Sequence, residues 1–163
     1  MLREKLNVFL QRLLTEVEHH YGERLTSLVI FGSVGRGTPR FDSDIDILLI
    51  ARNLSAGRLR RIQEFEAVEE SLARDLMELA RCGIHTSLSP IIKSEEEVLR
   101  GSLLFLDMLE DSLILYDRNN FFRSFLDKFA RRLHHLGARR IKRGNAWYWV
   151  LKDRYQKSEV FEL

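Results

Sequence analysis

Two aspartates, Asp44 and Asp46, stand two positions apart at the start of an apolar run. In a β-strand, side chains two positions apart lie on one face, so both carboxylates are expected to point the same way. Neighbouring carboxylates repel each other unless a cation neutralises them. Their oxygens suit Mg²⁺, which usually takes one or two carboxylates together with substrate phosphates. The spacing therefore predicts a metal site at Asp44 and Asp46.

A glycine-rich stretch, residues 32–41, precedes the two aspartates. Its glycines let the backbone approach a ligand closely and adopt torsions that other residues avoid. Backbone N–H groups in such a stretch can cradle a phosphate, and an arginine can add a bidentate contact. No Gly-Lys-Ser/Thr follows the glycines and no helical pattern starts there, so we predict a loop that is not a P-loop. The predicted nucleotide-binding residues are Gly32, Ser33, Arg36 and Gly37.

The two features gain meaning from their order along the chain. A glycine-rich stretch alone is usually a turn, and an Asp-x-Asp pair alone usually lies at a solvated strand end. Here a buried strand leads into the glycines and an apolar strand follows the aspartates, which is the context that such a motif needs. Together they predict a centre for metal-dependent phosphoryl or nucleotidyl transfer, with Asp44 and Asp46 as its catalytic residues.

Hydrophobic periodicity predicts the elements that must position this site. An amphipathic helix is expected over the first twenty or so residues, with Gly22 as its stop. Short apolar runs predict four strands, a longer stripe predicts a second helix, and Ser94 with Glu97 reads as a capping box. The predicted strands span 25–31, 45–50, 84–92 and 113–116, the long helices span 56–81 and 122–136, and a hairpin is predicted over 139–152 around Gly144 and Asn145.

Alternating strands and helices predict an α/β (α+β) domain. A short connection between the first two strands favours a mixed sheet over a parallel one. The chain length fits one domain. We expect residues 1–116 to form its core and residues 117–163 to form a basic helix and an aromatic tail packed on it.

Composition excludes several classes of protein. With 45% hydrophobic residues and a net charge of +2, the chain resembles neither a disordered nor a strongly basic protein. A single cysteine excludes a disulfide framework, and no apolar run approaches the roughly 20 residues needed to cross a bilayer. The first residues also lack the pattern of a signal peptide. We therefore expect a cytoplasmic protein that does not insert into membranes.

The small net charge hides two opposed segments. Residues 118–157 hold twelve basic and two acidic residues, for +10, and the rest of the chain carries −8. A basic segment next to Trp147, Tyr148 and Trp149 is suited to phosphates and bases. The same residues could pack onto the last helix or form a contact between two copies, where Trp, Tyr and Arg are enriched. Solvated helix faces that are merely rich in arginine remain an equal alternative.

At Gly32-Ser33, Arg36-Gly37 and Asp44-Ile45-Asp46 the sequence resembles the minimal members of the polymerase-β-like nucleotidyltransferases. The resemblance implies their fold, a mixed sheet flanked by helices, and Mg²⁺ ions held by the carboxylates. It implies transfer of a nucleoside monophosphate from an NTP, with ATP expected, to a hydroxyl of an unknown acceptor such as a protein, an RNA end or a small molecule. It also implies a helical partner protein in some cases, and we keep a homodimer open.

The sequence departs from this family at one position. Members that catalyse usually carry a third carboxylate on the next strand, whereas residues 84–92 contain no Asp or Glu. Ser87 and Ser89 stand about where that carboxylate would fall. This favours two alternatives to an enzyme: a nucleotide-binding module that acts by contact, such as an antitoxin or a partner subunit, and a nucleic-acid-binding protein.

Overall fold

The computed structural model describes residues 1–144 and 146–152 of the chain. It contains five α-helices, four short 3₁₀ helices, four strands in one mixed sheet and a separate two-stranded hairpin within these ranges. In chain order the elements are α1 Leu2–Tyr21, β1 Leu25–Phe31, α2 Gly32–Gly35, β2 Ile45–Ala51, α3 Arg58–Arg81, β3 Leu88–Lys93, α4 Glu95–Leu99, β4 Leu113–Asp117, α5 Phe121–Leu136, β5 Arg139–Arg143 and β6 Ala146–Val150.

The four-stranded sheet has the order β3-β2-β1-β4. β1 pairs antiparallel with both β2 and β4, whereas β2 pairs parallel with β3. The parallel pair is joined through α3, as a crossover requires, and the antiparallel pair β1–β2 needs only a short connection. The predicted α/β (α+β) class with a mixed sheet flanked by helices is confirmed.

Strand β2 lies at the centre of the core because both of its faces are buried. Ile45 and Ile47 belong to the cluster formed with α1 and α3. Leu48 and Ile50 belong to the opposite cluster, which contains the phenylalanines of α5. A strand buried on both faces reads as a continuous apolar run, which is the pattern that residues 47–50 show after Asp46. This packing fixes the strand that carries Asp46.

An aromatic cluster fills the second face of the sheet. The Phe105 ring lies 4.9 Å from the Phe125 ring and 6.1 Å from the Phe122 ring, both in edge-to-face geometry. Such pairs add about 0.5–1.5 kcal/mol to the effect of their burial. Helix α5 is therefore held on the sheet by large buried rings.

Several local predictions are also confirmed. Gly22 follows α1 with a φ of +50°, and Gly137 follows α5 with a φ of +73°. At α4, the Glu97 N–H donates to Ser94 Oγ at 3.2 Å, and the Ser94 N–H donates to Glu97 Oε2 at 2.8 Å. This is the expected capping box, which satisfies two helix-end donors reciprocally.

Two predictions need correction. The stretch 32–41 was expected to be a loop throughout, but Gly32–Gly35 forms the single helical turn α2. Burial of Val34 favours this turn despite the low helix propensity of glycine. The third strand begins at Leu88 instead of residue 84, because the preceding backbone is used elsewhere: the His85 N–H donates to the Phe41 carbonyl at 2.7 Å.

The hairpin β5–β6 matches the prediction for residues 139–152 in its described part. Arg139 pairs with Val150, and Arg143 pairs with Ala146. Asn145, in the predicted turn, lies outside the described residues, as do Asp153, Arg154 and Lys157 of the basic segment. None of the described helices is both long enough and apolar enough to cross a membrane.

Candidate nucleotide and metal site

The site begins where β1 ends and the chain turns into α2. Gly32 has a φ of +64°, and its carbonyl accepts a hydrogen bond from the Arg36 N–H at 3.0 Å. The Thr38 N–H donates to the Ser33 carbonyl at 2.9 Å, which closes the turn. The first N–H groups of a helical turn have no intrahelical acceptor, so this backbone presents donors to an anion. The residues predicted to bind nucleotide thus lie on one compact turn, which we name the glycine turn (residues 32–37).

Gly32 is also required for a second reason. A Cβ at this position would overlap the Oδ2 atom of Asp46. The backbone of the glycine turn therefore approaches the Asp46 carboxylate more closely than any other residue type would allow. The structure brings together the glycine turn and the carboxylate that the sequence placed about fourteen positions apart.

The two aspartates occupy the edge of the sheet at the start of β2. Asp46 pairs with Phe31 at the end of β1 and with Ser89 on β3. Asp44 comes directly before β2, and the Ser87 hydroxyl donates to its Oδ1 at 2.7 Å. Pairing with both neighbouring strands fixes the backbone under Asp46, and Ser87 orients Asp44. We call Asp44 and Asp46 the acidic edge.

The charges of the acidic edge interact. Burial raises the pKa of Asp46 above its ordinary value, and the neighbouring Asp44 charge raises it further. The Arg36 guanidinium acts in the opposite direction and lowers the pKa of Asp46. A partly buried carboxylate beside a second one is costly to ionise, and a bound cation would remove that cost.

A single Mg²⁺–nucleotide complex fits these residues. Within the described ranges, no group of three or more His, Cys, Asp or Glu side chains is placed to hold a metal. Asp44 and Asp46 supply the one or two carboxylates that Mg²⁺ takes when substrate phosphates complete its coordination. The oxygens of both carboxylates lie at the start of β2 beside the glycine turn, and this donor set suits a divalent cation.

Ser89 on β3 and Ser87 just before it stand where catalytic relatives usually carry a third carboxylate. Ser89 lies beside Asp46 in the parallel register, and Ser87 contacts Asp44. Both serines are exposed at the acidic edge. The predicted departure from the family pattern is therefore located next to both aspartates.

Sequence reasoning missed one residue at this site. The Arg36 guanidinium carbon lies 4.9 Å from the ring centroid of Trp147 on β6. Trp147 was considered for base stacking, for the core and for an interface, but not as a neighbour of the glycine turn. The available signal was a run of three aromatic residues flanked by basic ones, and it could not indicate this contact.

The basic segment is partly neutralised inside the chain. Arg140 is bonded to Glu110 Oε2 at 2.6 Å and to Asp111 Oδ2 at 3.0 Å. Arg118 reaches Glu23 Oε2 at 3.2 Å. These cations are already paired with carboxylates of the same chain, so the +10 of residues 118–157 overstates the charge that a polyanion would meet.

Comparison with known proteins gives a family match and a related sequence. Residues 10–101 match the family model of the nucleotidyltransferase domain. A candidate protein adenylyltransferase of Methanocaldococcus jannaschii is 32% identical over 132 residues, which cover 78% of this chain and 83% of that protein.

A solved structure is also similar in its fold. It is a toxin–antitoxin crystal structure with AMP-PNP, and the matched chain is 18% identical with a TM-score of 0.50. The match covers 77% of this chain and 87% of that one. At this identity the likeness concerns the fold alone.

Proposed function

The chain belongs to the family of nucleotidyltransferase domains, and from this premise we propose that it transfers a nucleoside monophosphate from a Mg²⁺–NTP complex to a hydroxyl group. The observation that carries the proposal is the contact between the glycine turn and the acidic edge. Gly32 leaves room for the Asp46 carboxylate directly beside a backbone that presents N–H donors. Phosphates and a divalent cation need those two groups side by side.

Each residue has a role in this proposal. Asp44 and Asp46 would hold the Mg²⁺, which supplies charge neutralisation and orientation for the phosphates when it is bound. The backbone at Gly32, Ser33 and Gly37 would bind phosphate oxygens, and the Arg36 guanidinium would neutralise further charge. These donors are fixed by the fold before substrate arrives, which is the condition for effective electrostatic stabilisation.

The proposed reaction exchanges one phosphorus–oxygen bond for another. The acceptor hydroxyl oxygen bonds to the α-phosphorus of the nucleotide, and the bond from that phosphorus to the bridging oxygen of the leaving group breaks. Pyrophosphate leaves with the electron pair of the broken bond. The hydroxyl proton passes to water, since β3 offers serines and no carboxylate next to the aspartates.

We propose ATP as the nucleotide and a protein hydroxyl as the acceptor. The archaeal relative, named as a candidate protein adenylyltransferase, supports both choices. The toxin–antitoxin structure was solved with an ATP analogue, which is consistent with the nucleotide. That structure is of a toxin together with an antitoxin, so a partner protein is a natural acceptor to test first.

A nucleotide-binding module without catalysis is the second candidate. It is favoured by the serines on β3, because a third carboxylate would strengthen metal binding and could accept the hydroxyl proton. The two candidates differ in one measurable product, the nucleotide covalently attached to an acceptor.

Labelling with radioactive nucleotide tests the proposal. The protein is incubated with Mg²⁺, ATP labelled at the α-phosphate and a lysate of the source organism, and covalent label on macromolecules is followed on denaturing gels. We expect a labelled protein band whose intensity falls at least about a hundredfold in Asp44→Asn and Asp46→Asn, because each substitution removes charge from the metal site and keeps the side-chain shape.

Asp75→Asn is the matched control, since Asp75 lies on α3 and pairs with Arg12 of α1 at 3.6 Å. It should label as the wild type does. Labelling that persists in both acidic-edge variants would overturn the proposed site. Absence of labelling together with Mg²⁺-dependent ATP binding in calorimetry would favour the non-catalytic module.

A further inference from the structure

The C-terminal hairpin reaches the glycine turn through one aromatic ring. The Trp147 ring centroid lies 4.9 Å from the Arg36 guanidinium carbon and 4.4 Å from that of Arg140. Guanidinium groups within about 6 Å of an indole centroid are attracted to the ring, and tryptophan is the strongest such partner. Arg36 of the predicted nucleotide site is therefore in contact with a residue more than a hundred positions away in the sequence.

The ring is held by its own polar contacts. The Trp147 Nε1–H donates to Asp107 Oδ1 at 2.9 Å. Its other cationic neighbour, Arg140, is anchored by Glu110 and Asp111. The Asp107 carboxylate thus holds the edge of the Trp147 ring, and the ion-paired guanidinium of Arg140 lies against its face.

The glycine turn is joined to the same region through its backbone. A Cβ on Gly35 would lie 2.8 Å from the Asp111 carbonyl oxygen, so the turn packs tightly against the segment that anchors Arg140. Beside this contact lies a cavity of about 440 Å³ lined by Arg36, Glu110, Arg140, Lys142 and Trp147. A ligand can approach the Arg36 guanidinium from this side.

Arg36 needs such support to act on a triphosphate. A free arginine side chain has many rotamers, and binding an anion would require ordering them. In the structure the Arg36 N–H donates to the Gly32 carbonyl at 3.0 Å, so Arg36 lies at the end of the glycine turn. Stacking on Trp147 would restrict the side chain before the ligand binds, which reduces the entropy lost on binding.

We propose that Trp147 is a positioning residue of the nucleotide site, which holds the Arg36 guanidinium in place for the triphosphate of Mg²⁺–ATP. This inference rests on the proposed function. It makes the hairpin β5–β6 part of the nucleotide site, although the family match ends at residue 101.

A surface for stacking nucleic-acid bases is the competing interpretation of Trp147. It is less favoured because two guanidinium carbons already lie within 5 Å of the ring centroid. A base would have to displace at least one of them. The experiment below separates the two interpretations.

A double-mutant cycle on nucleotide affinity tests the proposal. The dissociation constant of Mg²⁺–ATP is measured by calorimetry for the wild type, Arg36→Ala, Trp147→Leu and the double variant. We expect about tenfold weaker binding in Arg36→Ala and about three- to tenfold weaker binding in Trp147→Leu. The double variant should bind no more weakly than Arg36→Ala, because Trp147 acts only through Arg36.

Conservative substitution separates positioning from folding. Trp147→Phe keeps an aromatic face and loses the hydrogen bond to Asp107, and we expect it to retain affinity within about threefold of the wild type. Tyr148→Ala is the matched control on the same strand, since Tyr148 is 49% exposed. It should bind as the wild type does, and thermal unfolding identifies any variant that loses structure.

Tryptophan fluorescence gives a readout that does not depend on a disruptive variant. Binding of Mg²⁺–ATP at Arg36 should change the emission of the wild type, and the change should be lost in Trp147→Phe, which keeps Trp149 as its only tryptophan. A full response in Trp147→Phe would overturn the proposal, since it would place the signal elsewhere.

The outcomes are distinguishable. Wild-type affinity in folded Trp147→Leu with weakened binding in Arg36→Ala would overturn the inference and leave the proposed function standing. Absence of Mg²⁺–ATP binding by the wild type would overturn both. Loss of binding to a single-stranded RNA oligonucleotide in Trp147→Leu, with Mg²⁺–ATP affinity unchanged, would replace the inference by the nucleic-acid interpretation.

Discussion

The acidic edge and the hairpin β5–β6 lie on either side of Arg36, and they differ in how their charges are balanced. At the acidic edge, burial and the Asp44 charge both raise the pKa of Asp46, and the Arg36 charge lowers it. In the hairpin, Arg140 has two carboxylates within 3.0 Å. The acidic edge keeps negative charge that an added cation would neutralise, whereas the charge of Arg140 in the hairpin is already partly neutralised by carboxylates.

This difference in charge balance distinguishes a metal-binding site from a segment that holds another part of the chain in place. A site for Mg²⁺ must keep carboxylates that are not fully neutralised, even though this disfavours folding. A support gains from ion pairs that are satisfied within the chain. The basic segment, which by sequence looked suited to a polyanionic acceptor, therefore acts in part to attach the hairpin beside the glycine turn.

Substitution of Gly32 is expected to have the largest effect. In Gly32→Ala the new Cβ would overlap Asp46 Oδ2, so the carboxylate or the glycine turn must move. A displacement of about 1 Å in a catalytic site can cost about a hundredfold in rate, and we expect a loss of that size in nucleotide transfer. Transfer is measured with the labelled-ATP assay under saturating Mg²⁺.

Gly83→Ala is the matched control for backbone strain. Gly83 has a φ of +78°, but a Cβ there would meet nothing within 4 Å. Both variants should lose about 1–2 kcal/mol of stability from the left-handed backbone, and only Gly32→Ala should lose activity. Equal activity in the two variants would show that nucleotide transfer does not require the close approach of Gly32 to Asp46.

Breaking the ion pairs of Arg140 tests the supporting role of the hairpin. The Asp111 side chain is 18% exposed and that of Glu110 is 62% exposed, although both contact the same guanidinium. We expect Asp111→Ala to lower the free energy of unfolding by about 1–2 kcal/mol, because it leaves a partly buried cation short of one partner. The effect is measured by urea denaturation.

Glu110→Ala is the comparison variant and should cost less than about 0.5 kcal/mol, since exposed ion pairs contribute little. The cost of Asp111→Ala should also persist in 1 M salt better than that of Glu110→Ala, because burial limits screening. If the two variants lower the free energy of unfolding equally, Asp111 does not anchor the hairpin. The ion pairs of Arg140 would then behave like ordinary solvated pairs on a protein surface.

Local sequence patterns indicated the position of the acidic edge better than the contacts of the hairpin β5–β6, for a physical reason. The position of Asp44 and Asp46 follows from local rules: an apolar strand of period two and a glycine-rich stretch before it. These rules act over neighbouring residues and are visible in one sequence. Other local signals predicted the mixed sheet, the capping box at Ser94 and the end of α5 before Gly137.

Two features could not be predicted from local patterns. Helix α2 forms in a stretch whose residues disfavour helix, because Val34 is buried and the turn is enclosed by its neighbours. The contact of Arg36 with Trp147 joins distant parts of the chain and depends on how α5 and the hairpin pack. In both cases tertiary packing overrides or adds to local preference.

The smallest expected effect concerns the stability of the acidic edge itself. The pKa of Asp46 is higher in the folded protein than its ordinary value of 3.8. A carboxyl group with a raised folded pKa binds its proton more tightly when folded, so its ionisation opposes folding as the pH rises through that pKa. At neutral pH the ionised Asp46 destabilises the folded state to its full extent. Below the pKa of this group in the unfolded chain, the destabilisation vanishes.

Asp46→Asn removes the cost of ionising this carboxyl group. Without divalent cations we therefore expect the variant to melt about 1–2 °C above the wild type at pH 7. The gain is small because solvent screens the charge of a partly exposed carboxyl group. The difference should disappear as the pH falls to about 3.5, below the unfolded pKa. Asp42→Asn, at an exposed position in the loop before β2, should show no such gain.

Addition of Mg²⁺ should reverse the order of the two proteins. A ligand that binds only the folded state raises its stability, so Mg²⁺ should raise the melting temperature of the wild type and leave that of Asp46→Asn nearly unchanged. Calorimetric melting with EDTA and then with Mg²⁺ measures both. If Asp46→Asn melts below the wild type in EDTA, Asp46 is stabilised within the chain, and the contrast between an uncompensated acidic edge and a compensated hairpin does not hold.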